Sequence, residues 1–288
     1  MVELLIPQRQ HSIGAFEVGR VLPFRQRRMV GPFIFFDRMG PQELTAPVGT
    51  ENDVLPHPHI GLSTVTYLFE GAMTHRDSLG VVQDITPGAL NWMTAGSGIS
   101  HSERFEPMRA QGGRMDGIQA WVALPEHKEE QNPDFVHYEA EQLPLIKDTG
   151  LEGRLIAGSA LGLCSPANVA SPLFYMELRV QAGQSVPLPT GHEERAIYIC
   201  AGGLEVGGQR YPAGQMLVFA KGDSPRILAE QSSHLMLLGG EPLGPRHIWW
   251  NFVSSRKDRI EQAKDDWLNG RINLPPLDDE QFIPLPGV

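Results

Sequence analysis

Short apolar runs alternate with turn residues along most of the chain, and the spacing typical of amphipathic helices is rare. Glycine, proline and aspartate separate runs rich in β-branched and aromatic residues, for example residues 32–37, 63–69, 117–124, 173–180 and 196–200. Runs of this length and composition predict β-strands. Their number along the chain predicts an all-β fold, a sandwich or a barrel.

One segment near the end of the sequence departs from this pattern. A serine stands at the N-cap position of residues 254–270, Ile260 and Trp267 lie on one face, and Gly270 follows them. These features predict a short C-terminal helix. The residues beyond it are rich in proline and predict an extended tail.

The sequence also divides into two halves of similar length, because a polar segment interrupts the strand pattern near residues 140–150. We place a first domain at 1–145 and a second domain at 146–288. This division predicts two globular bodies of ordinary domain size rather than one large body.

The two halves resemble each other in short segments. Residues 67–71 resemble residues 198–202, and the proline-glycine turn and strand at 87–96 resemble those at 212–222. A strand, a tight glycine turn and a proline-glycine turn into another strand therefore occur twice. Duplication of one small β-barrel explains this repeat.

Composition narrows the classes of function. The chain has 34 acidic and 24 basic residues and a net charge of −10, which argues against a nucleic-acid-binding surface. Cys164 and Cys200 form no CxxC pair, so neither a disulfide framework nor a thiolate metal site is indicated. Without a signal pattern or an apolar run of roughly 18 residues, we expect a soluble cytoplasmic protein that does not bind membranes.

Two pairs of polar residues stand at strand entrances in the first half. His57 and His59 are separated by one residue before an apolar run, and His101 and Glu103 have the same spacing after a glycine-rich bend. Alternate residues of a strand face the same side, so neighbouring strands could bring three imidazoles and one carboxylate to a common point. Such donors suit Fe(II), Mn(II), Ni(II), Cu(II) or Zn(II), with positions open for substrate or oxygen.

A second interpretation makes these histidines ordinary polar residues that close a turn. The internal repeat favours the metal site, because the corresponding positions of the second half are mostly apolar: Leu188, Thr190, Ile227 and Ala229. Two other candidates near the site are given structural positions. We expect Glu70 to have a structural role in a turn and His75 to lie exposed in a hairpin turn, with the edge of the pocket as a less favoured position for His75.

Five segments together resemble the pirin family of the cupin superfamily, in order and over nearly the whole chain: residues 29–41, 55–71, 91–103, 116–125 and 239–252. The resemblance implies a bicupin, with a metal, usually iron, in the N-terminal barrel and none in the C-terminal barrel. The family's ligand positions fall on His57, His59, His101 and Glu103. Ile60 departs from the family pattern, since many relatives have arginine there.

The resemblance implies two kinds of activity. One is quercetin 2,3-dioxygenase activity, in which O2 cleaves a flavonol or a related aromatic. For this activity we take Glu103 as the hypothetical general base, and Phe36, Trp92 and Met93 as candidates to line the cavity. The other is regulation, in which an iron-dependent, redox-sensitive protein binds a transcription factor or a metabolic enzyme. An isomerase or lyase that uses the metal as a Lewis acid is a third alternative.

Overall fold

The structure is a computed structural model that describes residues 1–13 and 16–287. About half of these residues lie in β-strands, and one α-helix, α1 (Lys257–Leu268), lies near the end of the described chain. The predicted all-β fold with a short C-terminal helix and an extended tail is therefore confirmed. No helix in the described part of the chain is long and apolar enough to span a membrane.

The strands before residue 140 are β1 (Val2–Pro7), β2 (Arg9–Ile13), β3 (Phe16–Leu22), β4 (Phe33–Leu44), β5 (Val54–His59), β6 (Leu62–Glu70), β7 (Met73–Asp77), β8 (Val82–Ile85), β9 (Leu90–Thr94), β10 (Ile99–Arg104), β11 (Gly113–Ala123) and β12 (Asp134–Tyr138). Short 3-10 turns join some of them, at Thr50–Asn52, Glu106–Met108 and Glu126–Lys128.

The strands after residue 140 follow a further 3-10 turn at Ala140–Gln142. They are β13 (Leu145–Asp148), β14 (Leu151–Ala160), β15 (Leu163–Cys164), β16 (Leu173–Val180), β17 (Glu194–Ala201), β18 (Gly203–Val206), β19 (Gln209–Pro212), β20 (Gln215–Phe219), β21 (Ile227–Ala229), β22 (Ser233–Gly240), β23 (His247–Trp249) and β24 (Phe252–Ser254).

The chain folds into two compact units, and each draws on separate stretches of sequence. Unit 1 contains Met1–Arg9, Gly19–Phe36 and Glu141–Leu243. Unit 2 contains Gln10–Val18, Asp37–Ala140 and Gly244–Val288. The chain passes from unit 2 to unit 1 between residues 140 and 141, close to the boundary that we placed at 145. The segments at both ends of the chain, however, each belong to the unit that is built mainly from the other half of the sequence.

Strand pairing explains where these end segments lie. In unit 1, β1 pairs antiparallel with β20, so the first residues of the chain extend a sheet built from the second half. In unit 2, Phe252 of β24 forms a bridge with Ile60, and both belong to an apolar cluster with Ile260 and Trp267 of α1. Strand pairing thus holds the first residues of the chain, and an apolar cluster holds the segment around β24 and α1.

Unit 1 contains an eight-stranded sheet in the order β1-β20-β17-β22-β16-β14-β13, with β15 paired to β14, and a three-stranded sheet, β19-β18-β21. Its core is apolar. Phe174, Met176 and Leu178, which alternate along β16, pack there with Ile227 and Ala229 of β21.

Unit 2 contains a seven-stranded sheet in the order β12-β9-β6-β11-β4-β3-β2. Two of its strands, β3 and β4, have some residues in unit 2 and the others in unit 1. It also contains a four-stranded sheet, β5-β10-β7-β8, and the hairpin β23-β24. Leu68 and Met115 of the larger sheet share a buried cluster with Met73 and Ile85 of the smaller one. The two sheets therefore pack face to face, as in a cupin barrel.

The helix differs from its prediction at the N-terminus. α1 begins at Lys257 with Arg256 as N-cap and without a side-chain cap. Ser254 and Ser255 instead donate hydrogen bonds from their hydroxyl groups to Glu129. The serine that resembled a cap therefore ties the chain before the helix to a buried carboxylate.

Candidate metal centre

Three imidazoles meet on the smaller sheet of unit 2. His57 of β5 lies directly opposite His101 of β10, and His59 lies opposite Ile99 on the same pair of strands. The ring centroid of His57 is 4.4 Å from that of His101, and the centroid of His59 is 5.0 Å from each. One nitrogen of each ring lies within 4.8 Å of the others, a group that could hold a metal ion. The structure thus brings together His57, His59 and His101, the three imidazoles that the sequence predicts to converge.

Burial keeps these imidazoles neutral. His57 is 8% exposed, and His59 and His101 are each 1% exposed. Burial lowers the pKa of His57 to about 4, against a smaller opposing effect of its hydrogen bond to Leu55. Burial, followed by the repulsion of neighbouring imidazoles, lowers the pKa of His59 and of His101 well below the usual 6.5. Neutral imidazole is the form that binds metal ions.

Backbone carbonyls orient two of the three rings. Nδ1 of His57 lies 2.9 Å from the carbonyl oxygen of Leu55, and Nδ1 of His59 lies 3.1 Å from that of Asn251. A carbonyl only accepts, so each Nδ1 carries the proton and each Nε2 keeps its lone pair. The buried Nε2 atoms of His59 and His101 have no hydrogen-bond partner among the described residues. Lone pairs in a buried cluster of this kind fit a metal ion.

Glu103 lies beside the three imidazoles. It follows His101 by two residues on β10, and its Oε1 lies 3.6 Å from Nδ1 of His101. It is not part of the group of donor atoms within 4.8 Å, so its assignment as a ligand stays a prediction. Its Oε2 is buried and has no hydrogen-bond partner in the described structure. Burial raises the pKa of Glu103 to about 8, although the Arg104 guanidinium opposes this shift.

His75 lies beside His101 in the site, a position that the sequence interpretation gave only as the less favoured alternative. We expected it in an exposed turn, but it lies on β7 and is only 5% exposed, so that expectation was wrong. Its Nε2 is 3.0 Å from Oδ2 of Asp77, and its Nδ1 is 3.4 Å from Nδ1 of His101. The spacing of His75 and Asp77 is the same alternation that identified His57 and His59. The following Ser-Leu-Gly turn hid this signal.

The larger sheet supplies a wall for the site. The ring of Trp121 on β11 makes an edge contact with His59 at 5.1 Å. Thr64 lies opposite Trp121 on one side and opposite Met93 on the other, so these three residues share the face towards the imidazoles. Met93 is thus on the expected face. Trp92, its neighbour on β9, faces the other side of the sheet.

The third candidate for lining the cavity lies elsewhere. Phe36 belongs to unit 1, where its ring makes an edge contact with Tyr198 at 5.2 Å. The expectations for Phe36 and Trp92 were therefore wrong, since sequence position alone cannot say which way a strand residue points. Phe135 takes part instead: it lies opposite Met93 and stacks on His75 at 4.4 Å.

Polar pairs continue along the same face of the larger sheet. The hydroxyl of Thr66 donates to the side-chain oxygen of Gln119 at 2.7 Å, and Nδ1 of His137 lies 2.6 Å from the side-chain oxygen of Asn91. The wall therefore combines apolar and aromatic surface near the imidazoles with hydrogen-bonding groups beyond it.

Glu70 lies at the exposed end of β6, where its carboxylate is 3.5 Å from the guanidinium of Arg114. The structure thus places it in an ion pair at the surface and away from the group of donor atoms.

Comparisons with known proteins agree with this architecture. The family model "Pirin" matches residues 15–122, and the model "Pirin C-terminal cupin domain" matches residues 175–273. A "Pirin-like protein" from Caulobacter vibrioides is 56% identical, over 99% of this chain and 100% of that protein.

Two further relatives carry the name of an activity. A protein of Pseudomonas aeruginosa named "Putative quercetin 2,3-dioxygenase" is 37% identical over 92% of this chain and 83% of its own length. A crystal structure described as quercetin 2,3-dioxygenase from Acinetobacter baumannii is 36% identical, with a TM-score of 0.89, and covers 99% of this chain and 95% of that one. The matched models, the long alignments and the two cupin units together establish that the chain belongs to the pirin family.

Proposed function

We propose that this protein is a metal-dependent dioxygenase of the quercetin 2,3-dioxygenase type, which uses O2 to cleave a flavonol or a related aromatic. The observation that carries the proposal is the buried cluster of His57, His59 and His101 with the carboxyl group of Glu103 beside it. The names of the Pseudomonas aeruginosa and Acinetobacter baumannii proteins support the same activity.

His57, His59, His101 and Glu103 would hold the metal ion. Nitrogen with a carboxylate oxygen suits iron(II), the ion we expect, and also Mn, Ni, Cu or Zn. When bound, the ion supplies the Lewis acidity and the redox chemistry that the reaction of a flavonol with O2 requires. The bound ion would also offer a binding position to the substrate.

Glu103 would also move the proton of the substrate. A general base must be ionised to accept a proton from the substrate. Oε2 of Glu103 has no hydrogen-bond partner among the described residues, so this oxygen is free to accept the proton of the flavonol 3-hydroxyl group. The positive charge of a bound metal ion beside Glu103 would favour the ionised carboxylate that this role needs.

The wall of the larger sheet suits a flat aromatic molecule with hydroxyl substituents. Met93, Trp121 and Phe135 offer apolar and aromatic surface close to the imidazoles. Thr66 and Asn91, with their hydrogen-bonded partners on adjacent strands, offer donors and acceptors farther along the same face. This mixture is typical of small-molecule sites, where a few polar groups fix the orientation of a largely apolar ligand.

A second candidate function is regulatory: the protein would bind a transcription factor or a metabolic enzyme according to the oxidation state of its iron. The burial of His59 and His101, each 1% exposed, favours this alternative, since a sealed ion can sense redox state without admitting a large substrate.

Oxygen consumption by the iron-loaded protein with quercetin distinguishes the two functions. The dioxygenase predicts O2 uptake that matches flavonol loss and carbon monoxide release, and His101→Ala should abolish all three. The matched control is His234→Ala, which removes a buried histidine that contacts Glu177 at 2.7 Å in unit 1. Absence of uptake by wild-type protein with bound iron would overturn the dioxygenase and favour the regulator.

A further inference from the structure

Three side chains, those of His101, His75 and Asp77, form a hydrogen-bonded series that extends from the candidate metal centre. Oδ2 of Asp77 lies 3.0 Å from Nε2 of His75, and Nδ1 of His75 lies 3.4 Å from Nδ1 of His101. Asp77 is 0% exposed and lies opposite His101 in the ladder between β7 and β10. Strand register therefore fixes the positions of Asp77 and His101, the two ends of this hydrogen-bonded series.

The hydrogen bonds of Asp77 determine which groups donate and which accept along this series. Its Oδ1 accepts the backbone N–H groups of Leu79 and Val81, at 2.9 and 3.2 Å. A carboxylate only accepts hydrogen bonds, so Nε2 of His75 must carry a proton and donate it to Oδ2. Nδ1 of a neutral His75 then carries a lone pair.

This lone pair determines which nitrogen of His101 carries the proton. Two facing Nδ1 atoms attract each other only if one donates and the other accepts, so Nδ1 of His101 must donate to His75. Nε2 of His101 then keeps its lone pair, and this is the buried atom without a hydrogen-bond partner among the described residues. The opposite tautomer would place an N–H group where a metal ligand needs a lone pair.

We propose that Asp77 and His75 are positioning residues that hold His101 in the tautomer and ring orientation required for metal binding. The inference rests on the proposed metal site and adds a function for two residues outside the ligand set. Neighbouring groups of metal-binding histidines commonly act in this way.

The packing of His75 supports a positioning function. The ring of Phe135 stacks on it with centroids 4.4 Å apart and planes 19° apart. The ring of His75 is therefore held from one side by an aromatic face and at its edges by Asp77 and His101. Backbone carbonyls do the same work for His57 and His59, so among the three imidazoles it is His101 whose orientation depends on side chains that can be replaced.

Three variants separate hydrogen bonding from packing. His75→Leu removes both polar contacts at similar volume and should weaken binding of Ni(II) or Fe(II) by about 10- to 100-fold. His75→Gln should retain most of the affinity, because its amide can donate to Asp77 and accept from His101. In Asp77→Asn, the oxygen would keep the two backbone N–H groups and the NH2 group would face His75. This substitution exchanges donor and acceptor in both hydrogen bonds of the series, and it should weaken metal binding as His75→Leu does.

Nitrogen-15 NMR of the metal-free protein supplies an independent measurement. Wild type should show His101 protonated at Nδ1, and Asp77→Asn should move this proton to Nε2 while the fold remains native by circular dichroism. His234→Leu is the control, since it removes a buried histidine–carboxylate contact in unit 1 and should change neither the His101 tautomer nor metal affinity.

The outcomes distinguish the inference from the proposed function. If wild type binds no divalent metal, the proposed function fails. If wild type binds metal and His75→Leu binds it equally well, or if His101 is protonated at Nε2 in wild type, the positioning function is overturned. If His75→Leu does not fold, the comparison of His75→Gln with Asp77→Asn decides.

Discussion

His57 and His101 lie directly opposite each other on adjacent antiparallel strands, and their ring centroids are 4.4 Å apart. The ladder between these strands is irregular just beyond this pair, before Glu103. A slip of one residue would turn His101 to the other side of the sheet, so the register of two strands sets the geometry of the candidate metal centre.

Metal binding should release a proton from Glu103. At pH 7 a carboxyl group with a pKa of about 8 is mostly protonated, and it must lose this proton to become a ligand. The histidines should release none, because their lowered pKa values leave them neutral. Calorimetric titration of wild type in buffers of different ionisation enthalpy should reveal the proton. Glu103→Gln should bind metal without release, and equal release by both proteins would remove Glu103 from the ligand set.

The metal-free protein should lose stability as pH falls from 6.5 towards 4. In this window an unfolded His57 binds a proton, whereas folded His57, with a pKa of about 4, does not, so the free energy of unfolding decreases as pH falls. Each unit of pKa difference corresponds to about 1.4 kcal/mol. Urea titrations of wild type and His57→Gln should diverge over this range, with wild type losing more stability. Parallel curves would contradict the lowered pKa.

Glu103 should have the opposite effect in the metal-free protein. Between pH 4.5 and about 8, folded Glu103 holds a proton that the unfolded chain has released, so the free energy of unfolding decreases as pH rises. Glu103→Gln removes this cost. Its stability relative to wild type should therefore increase from pH 4.5 to pH 8, as measured by urea titration without metal.

The two faces of β9 should respond differently to substitution. Met93→Phe adds volume to the face shared with Trp121, and we expect a higher KM for the flavonol. Trp92→Phe removes volume from the other face and should lower Tm with little change in KM. Steady-state kinetics and thermal unfolding of both variants test this difference. A KM effect limited to Trp92→Phe would place the substrate elsewhere.

The C-terminal tail should stabilise the strand that carries His101. Asp278 accepts hydrogen bonds from the hydroxyl of Ser102 at 2.5 Å and from Nε of Arg104 at 2.9 Å. Despite the opposing effect of burial, these contacts hold the pKa of Asp278 below its usual value. Asp278→Ala leaves polar partners unpaired and should cost roughly 1–3 kcal/mol in chemical denaturation. Asp279→Ala, one residue further on, is the matched control and should have little effect.

The sequence identifies the imidazoles because their spacing matches the two-residue period of a strand, and this period holds wherever the strand lies. It favours an exposed position for His75, which is buried, because the turn after Asp77 makes the segment resemble a hairpin tip. It also misassigns Phe36, since a strand pattern does not reveal to which unit a residue belongs. The segments at both ends depend on long-range pairing, such as β1 with β20, which local composition does not encode.

The order in which the chain is synthesised has a consequence for the site. A ribosome that has completed residues 1–140 has delivered all three histidines, but not Asn251, whose carbonyl orients His59. Nor has it delivered Ile283, whose amide donates to the carbonyl of Pro56 at 2.9 Å. The three histidines therefore precede in the sequence both of these residues, and the carbonyl of Asn251 can orient His59 only after the chain has been synthesised at least to residue 251.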